Sequence, residues 1–408
     1  MIGGTMLAHK LCSFRHTLLV LALPGALIMT CLAGGPLVGH AIAPPLQGPH
    51  FSLIASTQLA DGVTLSSEVL QTVAGPELVN RLDLDLTRPS LHLGEVLAHN
   101  RLISSDETVS SMANRTQAVA GINGDFFEIG GRGRPIGMVE INGQLLQSPT
   151  IYAVMGITAS GNLTFDHKSF LGSVTLGRAS HSLKAINHFN EINEGQLVLL
   201  TPALGAPVAL RGPTVALLRP IQGASQLFRV QSILRNVTSL PALSGQVALA
   251  GNGSAGRWLT STLHRGDQVS VTWQLSPAAH LLQAIGGGPI LLKDGALFTD
   301  PSPPAPGEAN VRYPLTAVSL SRDGRHAALV VFDGRHAGPV KSVGLTHAEA
   351  ARYLLAHHAY QAMLFDTGGS SEMVARLPEQ DNISVINWPS DGHERPVANG
   401  LFVYSTSP

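Results

Sequence analysis

Cysteine is nearly absent from this chain. The 408 residues contain two, Cys12 and Cys31, and both lie within the first 43. A chain shortened by that segment carries no thiol, which excludes a disulfide scaffold, a thiolate metal site and a cysteine nucleophile together. An excess of one charge sign is missing too: Lys+Arg 26 balance Asp+Glu 27, for a formal charge of -1. With no basic field, nucleic acid is not an expected partner. There is no exact internal repeat, no Gly-x-Ser-x-Gly elbow and no histidine pattern with metal-ligand spacing; His357-His358 reads as packing and surface. Gly286-Gly287-Gly288-Pro289 leads into an apolar run and a Lys293-Asp294-Gly295 turn rather than a helix, which argues against a nucleotide-phosphate loop. No cofactor is expected, and a metal requirement is left open.

What is present is largely apolar, 44% hydrophobic against 13% charged, enough for a sizeable core. Lys10, Arg15 and His16 precede an apolar run from Leu18 to Val38, and Ala41-Ile42-Ala43 offers a cleavage pattern. Pro24, Gly25, Gly34, Gly35 and Pro36 interrupt that run, so residues 1–43 read as an export leader, with an uncleaved membrane anchor as the alternative. The protein is then periplasmic, cell-surface or secreted, and any membrane contact is through this segment. Residues 44–408 follow as the folded part: an N-terminal portion over 50–140, a β-rich middle over 141–285 and a C-terminal portion over 286–408.

The expected fold class is α/β, or mixed α+β, with a mixed β-sheet flanked by helices. Ser104 and Glu107, then Thr346 and Glu349, have capping-box spacing and predict helices to about Asn114 and Ala359. Asn142-Gly143 and Ser321-Arg322-Asp323-Gly324 are hairpin turns. The run Ala327 to Asp333, the second helix and the run Ala362 to Phe365 form a βαβ unit, whose strands should be parallel. Asp333 and Asp366 each follow their strand's apolar run, so both carboxylates fall at one sheet edge, where ligands bind in open α/β sheets. Paired carboxylates suit glycosidic cleavage, one as acid and the other as base or nucleophile.

Asp366 opens Asp366-Thr367-Gly368-Gly369-Ser370-Ser371, where glycines free the backbone to expose amides and two hydroxyls follow. Asn123-Gly124-Asp125 ends another strand and precedes a glycine-rich loop from Gly130 to Gly137. Arg312, Arg335 and Arg395 are available for an anion. Against these readings stand ordinary turns at 123–124, 333–334 and 367–369.

Six stretches in order make the chain resemble the phosphodiester glycosidase family: Asp106-Glu107-Thr108 with Ser111-Met112-Ala113, Ala118 through Phe127, Gly286 through Pro289, Asp333-Gly334-Arg335, Phe365 through Ser371, and Glu394 through Asn399. The resemblance implies hydrolysis of a sugar-1-phosphodiester at the sugar–phosphate link, with a phosphodiester-linked sugar or polysaccharide as partner. It implies Asp125, Asp333 and Asp366 as catalytic residues. It implies Asn123, Arg335, Ser370, Ser371, Arg395 and Asn399 as substrate-binding residues, and Arg312, Thr316, Gly368 and Gly369 are expected to bind substrate beside them. Two positions depart from the family pattern. Leu315 stands where the family has arginine, and leucine cannot bind phosphate; Thr367 stands where it has glycine. A non-catalytic carbohydrate-binding or envelope-scaffold protein on the same fold is the alternative that Leu315 favours, and a serine hydrolase using Ser370 or Ser371 is a third.

Overall fold

The computed structural model describes residues 49–130, 133–302 and 308–406. The leader, Gly131 and Arg132 of the glycine-rich loop, and residues 303–307 of the proline-rich loop lie outside them.

Strands dominate the described residues, among which there are three α-helices: α1 (Val109–Thr116), α2 (Gly253–Thr262) and α3 (His347–Ala356). The first sheet has eight strands in the spatial order His50–Ala60, Val63–Thr72, Gly75–Asp85, His326–Phe332, Leu315–Ser321, Ala359–Leu364, Ile290–Lys293 and Ala296–Leu297. Every neighbouring pair in it is antiparallel. One face, through Leu315, Ala317, Val330, Phe332 and Leu364, packs under Ala350, Tyr353 and Leu354 of α3. Period-two alternation gives the other face to Val318, Leu329, Val331 and Met363. These meet Ile122, Met373 and Leu401 of a five-stranded antiparallel sheet, and Met155 and Ile285 of another. On its far side the sheet that holds Ile122 is covered by Val109, Met112 and Ala113 of α1. The chain between residues 169 and 276 contributes a further eight-stranded sheet with α2 against it, so the middle portion is β-rich as expected.

The α/β expectation is therefore met only in part: the fold is β-rich, with few helices. The predicted βαβ unit also differs in detail. The hairpin at Ser321–Gly324 lays Leu315–Ser321 beside His326–Phe332, and the crossover through α3 passes this strand and pairs Ala359–Leu364 with its other side. The two outer strands are both antiparallel to the central one, so they share a direction without touching. Asp333 and Asp366 still leave the sheet at the same edge.

The second capping box is present: Thr346 Oγ1 accepts from the Glu349 N–H, and Glu349 accepts from the Thr346 N–H. The helix ends at Ala356, ahead of the expected Ala359. The first capping box is not formed. Thr108 caps α1 instead, its hydroxyl accepting from the Ser111 N–H. Glu107 is buried and accepts from Arg115 Nε, Ser111 Oγ and the His99 N–H. An ion pair and two further donors hold that carboxylate better than the exposed end of a helix would, which is why the spacing misled.

Candidate active site

The edge of the first sheet at which His326–Phe332 and Ala359–Leu364 end meets the end of Ala120–Asn123 in the neighbouring sheet, and buried amides lock the two together. Asn123 Oδ1 accepts from Thr316 Oγ1 at 2.7 Å and from the Glu372 N–H at 3.0 Å, while its Nδ2 donates to Asp366 O at 2.9 Å. Asn399 Oδ1 accepts from the Asp125 N–H at 2.9 Å, and Asn399 Nδ2 donates to Glu95 Oε1 at 2.6 Å. Asn123, Thr316 and Asn399 are each fully buried. Their polar atoms are spent on the frame, and they position the aspartates.

Asp125 is 1% exposed, and its Oδ2 accepts from the Gly137 N–H at 2.6 Å while Oδ1 is buried without a partner. The carboxyl is wedged between two glycines. A Cβ on Gly286 would lie 2.6 Å from Asp125 Oδ2, and one on Gly137 would lie 2.8 Å from it. The triple glycine thus serves close approach to a carboxyl group, with Gly287 against the Phe365 ring. Burial pushes the Asp125 carboxyl up to about 8; the Gly137 N–H opposes that rise and the nearby Asp366 charge adds to it. At neutral pH Asp125 is a protonated acid. Asp366 is half-buried, its Oδ1 accepting from the Thr367 N–H at 2.9 Å. Asp333 is buried under the Trp388 N–H, which lies 3.2 Å from Oδ1 and 3.3 Å from Oδ2. Burial lifts its carboxyl to about 7 against that donor.

The basic groups form one cluster on the open side. Arg395 donates through Nε and Nη2 to Asp391 Oδ2, at 2.9 and 2.5 Å, and through Nη1 to Ser370 Oγ at 3.2 Å. Arg335, exposed, reaches Asp391 Oδ1 at 3.5 Å and stands over Gly368. Two guanidiniums share one carboxylate, so the cluster keeps a net positive charge over the Gly368–Ser370 turn. Gly369 lies beneath the pair, where a Cβ would overlap Arg395 Nη2 and the Asp391 carboxylate. The amides contribute less than the sequence suggests: the Gly368 N–H donates to Pro314 O and the Ser371 N–H to Gly368 O. Gly368 has φ +70°, whereas Thr367 is extended, so the departure at 367 asks nothing unusual of the backbone. The structure does not bring Arg312 to this cluster: it donates to Gly344 O at 2.9 Å and to the Glu349 carboxylate of α3. Leu315 is fully buried in the apolar layer beneath α3. Among the described residues, no group of three or more His, Cys, Asp or Glu side chains is placed to hold a metal ion.

Residues 239–404 match the phosphodiester glycosidase family. The resemblance drawn from the motifs is to that family. The matched stretch contains Asp333, Arg335, Asp366, Ser370, Arg395 and Asn399, while Asn123 and Asp125 precede it. No functionally curated protein matches the chain in sequence. Among solved structures, a hypothetical protein from Synechocystis aligns with TM-score 0.73 and 18% identity over 90% of this chain and 64% of that one. The chain thus spans less than two thirds of that relative's length. A protein of Burkholderia pseudomallei named as exported aligns with TM-score 0.69 and 18% identity, over 88% of this chain and 97% of that one. These two likenesses show the fold. The zebrafish N-acetylglucosamine-1-phosphodiester alpha-N-acetylglucosaminidase catalytic domain, auto-inhibited by pro-peptide, aligns with TM-score 0.44 and 12% identity over 88% of each chain, too distant a likeness to carry an argument.

Several residues of this cluster escape a sequence reading. Asp391, which gathers both arginines, sits in an irregular loop whose only signals are turn residues. Trp388, 50% exposed, is fixed by its N–H on Asp333 and packs against Gly338. Asn387 ties Ser371 to Asp333: its Nδ2 donates to Ser371 O at 3.1 Å, and its side chain bonds the Asp333 carboxyl. Glu372 is buried beside Glu394, and burial pushes its carboxyl up to about 9 with the Glu394 charge adding. The octapeptide shows that a carboxylate follows Ser371, but nothing in it shows that the carboxylate turns inward.

Proposed function

We propose that the protein is an exported hydrolase that cleaves the sugar–phosphate glycosidic bond of a sugar-1-phosphodiester in envelope or exported polysaccharide. The observation that carries this reading is the fully buried Asp125 carboxyl, raised by its burial, near the half-buried Asp366, with the Arg335–Asp391–Arg395 cluster at the turn that follows. The family match supports the reaction class. The N-terminal charged and apolar pattern supports export, in keeping with the exported name of one structural relative.

In this scheme the guanidiniums of Arg335 and Arg395, with Ser370, hold the phosphodiester and neutralise charge as the phosphate departs. The bond from the anomeric carbon to the phosphate oxygen breaks, Asp125 gives its proton to that oxygen, and a water oxygen bonds to the carbon. Asp366 accepts the water's proton or acts as the nucleophile of a two-step route. Asp333 fixes the Trp388 loop, whose exposed indole offers a face to the sugar ring.

The test is release of free sugar from UDP-sugars and from sugar-1-phosphate methyl esters by the parent protein, Asp366→Asn and Asp125→Asn. Release by the parent that is lost in Asp366→Asn supports the reading; release that survives in Asp366→Asn overturns the assignment. Leu315, an apolar side chain where the family has arginine, favours a second reading as a carbohydrate-binding protein. Sugar binding that persists in Asp366→Ala while the parent turns over nothing would decide for it.

A further inference from the structure

Away from the aspartates, the turn of the hairpin between Val139–Ile141 and Gln144–Gln147, the loop after Leu91–Leu97 and the strand Gln268–Ser276 enclose a groove of about 830 Å³. A second groove of about 530 Å³ adjoins it along that strand, and Trp273 and Gln274 line both. Each volume is within the range of ligand sites.

The lining does not read as a packing defect. Dry voids between sheets are apolar. Here Asn100, Gln144, Thr201 and Gln274 share the wall with Leu145 and Leu275. Glu140 lies among them, 9% exposed, and its Oε2 is buried without a partner. No Lys, Arg or His lines this groove to neutralise it, and burial alone lifts that carboxyl to about 7. A buried acceptor without a donor is costly, and a ligand that supplies one removes the cost. Trp273 is half-buried and packs against the core of the middle sheet. Its partner across the ladder is Gly172, over which the Phe170 ring lies, so Trp273 and Phe170 are aromatic neighbours in the lining of the second groove. An aromatic face, flanking amides and hydroxyls, and an acceptor at depth together match a polyhydroxylated ligand: apolar sugar faces stack on rings while hydroxyls donate to carboxylates.

We infer that these joined grooves are a non-catalytic glycan-binding site, in which a sugar chain stacks on Trp273 and donates hydrogen bonds to Glu140. The site stands apart from Asp125 and Asp366 and does not depend on the hydrolysis reading. It would hold a chain substrate, or anchor the protein on an envelope glycan.

The experiment titrates the full-length protein with cellotetraose, chitotetraose and the chitosan tetramer, read by calorimetry and tryptophan fluorescence. At least one is expected to bind with Kd below about 1 mM and to shift the indole emission, with affinity falling about tenfold in Trp273→Ala. Glu140→Gln should weaken binding less than Trp273→Ala for a neutral tetrasaccharide, and more if the chitosan tetramer alone binds, since an ammonium then faces the carboxylate. Asp366→Asn should bind as the parent does, which separates this site from the aspartate cluster. Gln144→Trp, at an exposed position, blocks the groove without touching the core and stands in if Trp273→Ala does not fold. Absence of binding by all three sugars at about 10 mM overturns the inference, as does binding that Asp366→Asn abolishes or that Gln144→Trp leaves intact.

Discussion

Asp125 has almost no room, and its neighbours say why two glycines face it. Gly286→Ala sets a methyl group 2.6 Å from Oδ2 and 2.7 Å from the Gly137 Cα, so the carboxyl or the strand must move. The expected outcome is a loss of kcat of about a hundredfold with a smaller change in KM, measured by steady-state kinetics on a cleaved phosphodiester, because a displacement near 1 Å at reacting groups costs about that much. The same residue sets a pH limit. With its carboxyl near 8, Asp125 holds its proton through neutrality and loses it above. If it is the acid, kcat/KM falls about tenfold per pH unit above that value, and a profile flat to pH 9.5 would remove it from that role. Leu315 gives a third outcome at this scale. It is buried with Phe332, Leu345 and Ala350, so Leu315→Arg forces a guanidinium into an apolar layer. Restoring the family's arginine should destabilise the fold by about 3 kcal/mol or more in urea unfolding rather than restore phosphate binding.

At the scale of elements, α3 explains why Arg312 is better placed than its position in the sequence suggests, but for a different task. The Thr346–Glu349 box caps α3, and the Glu349 carboxylate also receives Arg312, which in turn donates to Gly344 O. Arg312→Ala is therefore expected to lower Tm, while leaving KM for a phosphodiester within about twofold of the parent; Glu349→Ala should cost about 1–2 kcal/mol through the cap alone. A tenfold rise in KM in Arg312→Ala would return that arginine to the substrate. The capping box, the Asn142-Gly143 and Ser321–Gly324 hairpins and the shared edge of Asp333 and Asp366 are legible in the sequence because each rests on local chemistry: an oxygen three residues from an N–H, a positive φ, a strand's direction. Sheet order was not legible. Whether Leu315–Ser321 lies between its neighbours depends on which side of a hairpin the α3 crossover lands, and no local pattern records that. Asp391 was hidden for the same reason, since its link to Arg335 spans 56 residues.

Among the described residues the unusual feature is how many carboxyls are buried outside any ion pair. Burial raises Glu77 and Glu372 to about 9, Asp125 to about 8, Asp333 and Glu140 to about 7, and Glu95 well above its ordinary value. Each is raised above its unfolded value near 4, so the folded state binds the extra protons. The stability these groups contribute is fully present below that unfolded value and is lost as pH rises through 7 to 9. Glu68, Glu107 and Glu349, lowered despite burial by hydrogen bonds from His357, Arg115 and Thr346 among others, act in the opposite sense: their contribution is present above about 4.5 and lost as pH falls through their lowered values. The two sets are both in place only near pH 4.5, so stability peaks at about pH 4–5 and declines above it, and Tm should fall by about 5 °C or more between pH 6 and pH 9. Thermal unfolding from pH 4 to pH 9.5 measures it. Glu372→Gln removes one ionising group from the buried set while keeping its shape, so its Tm should decline less steeply than the parent's over the same range. A parent profile that is flat to pH 9 would mean that water reaches these carboxyls, and the protonated state of Asp125 at neutral pH would go with it.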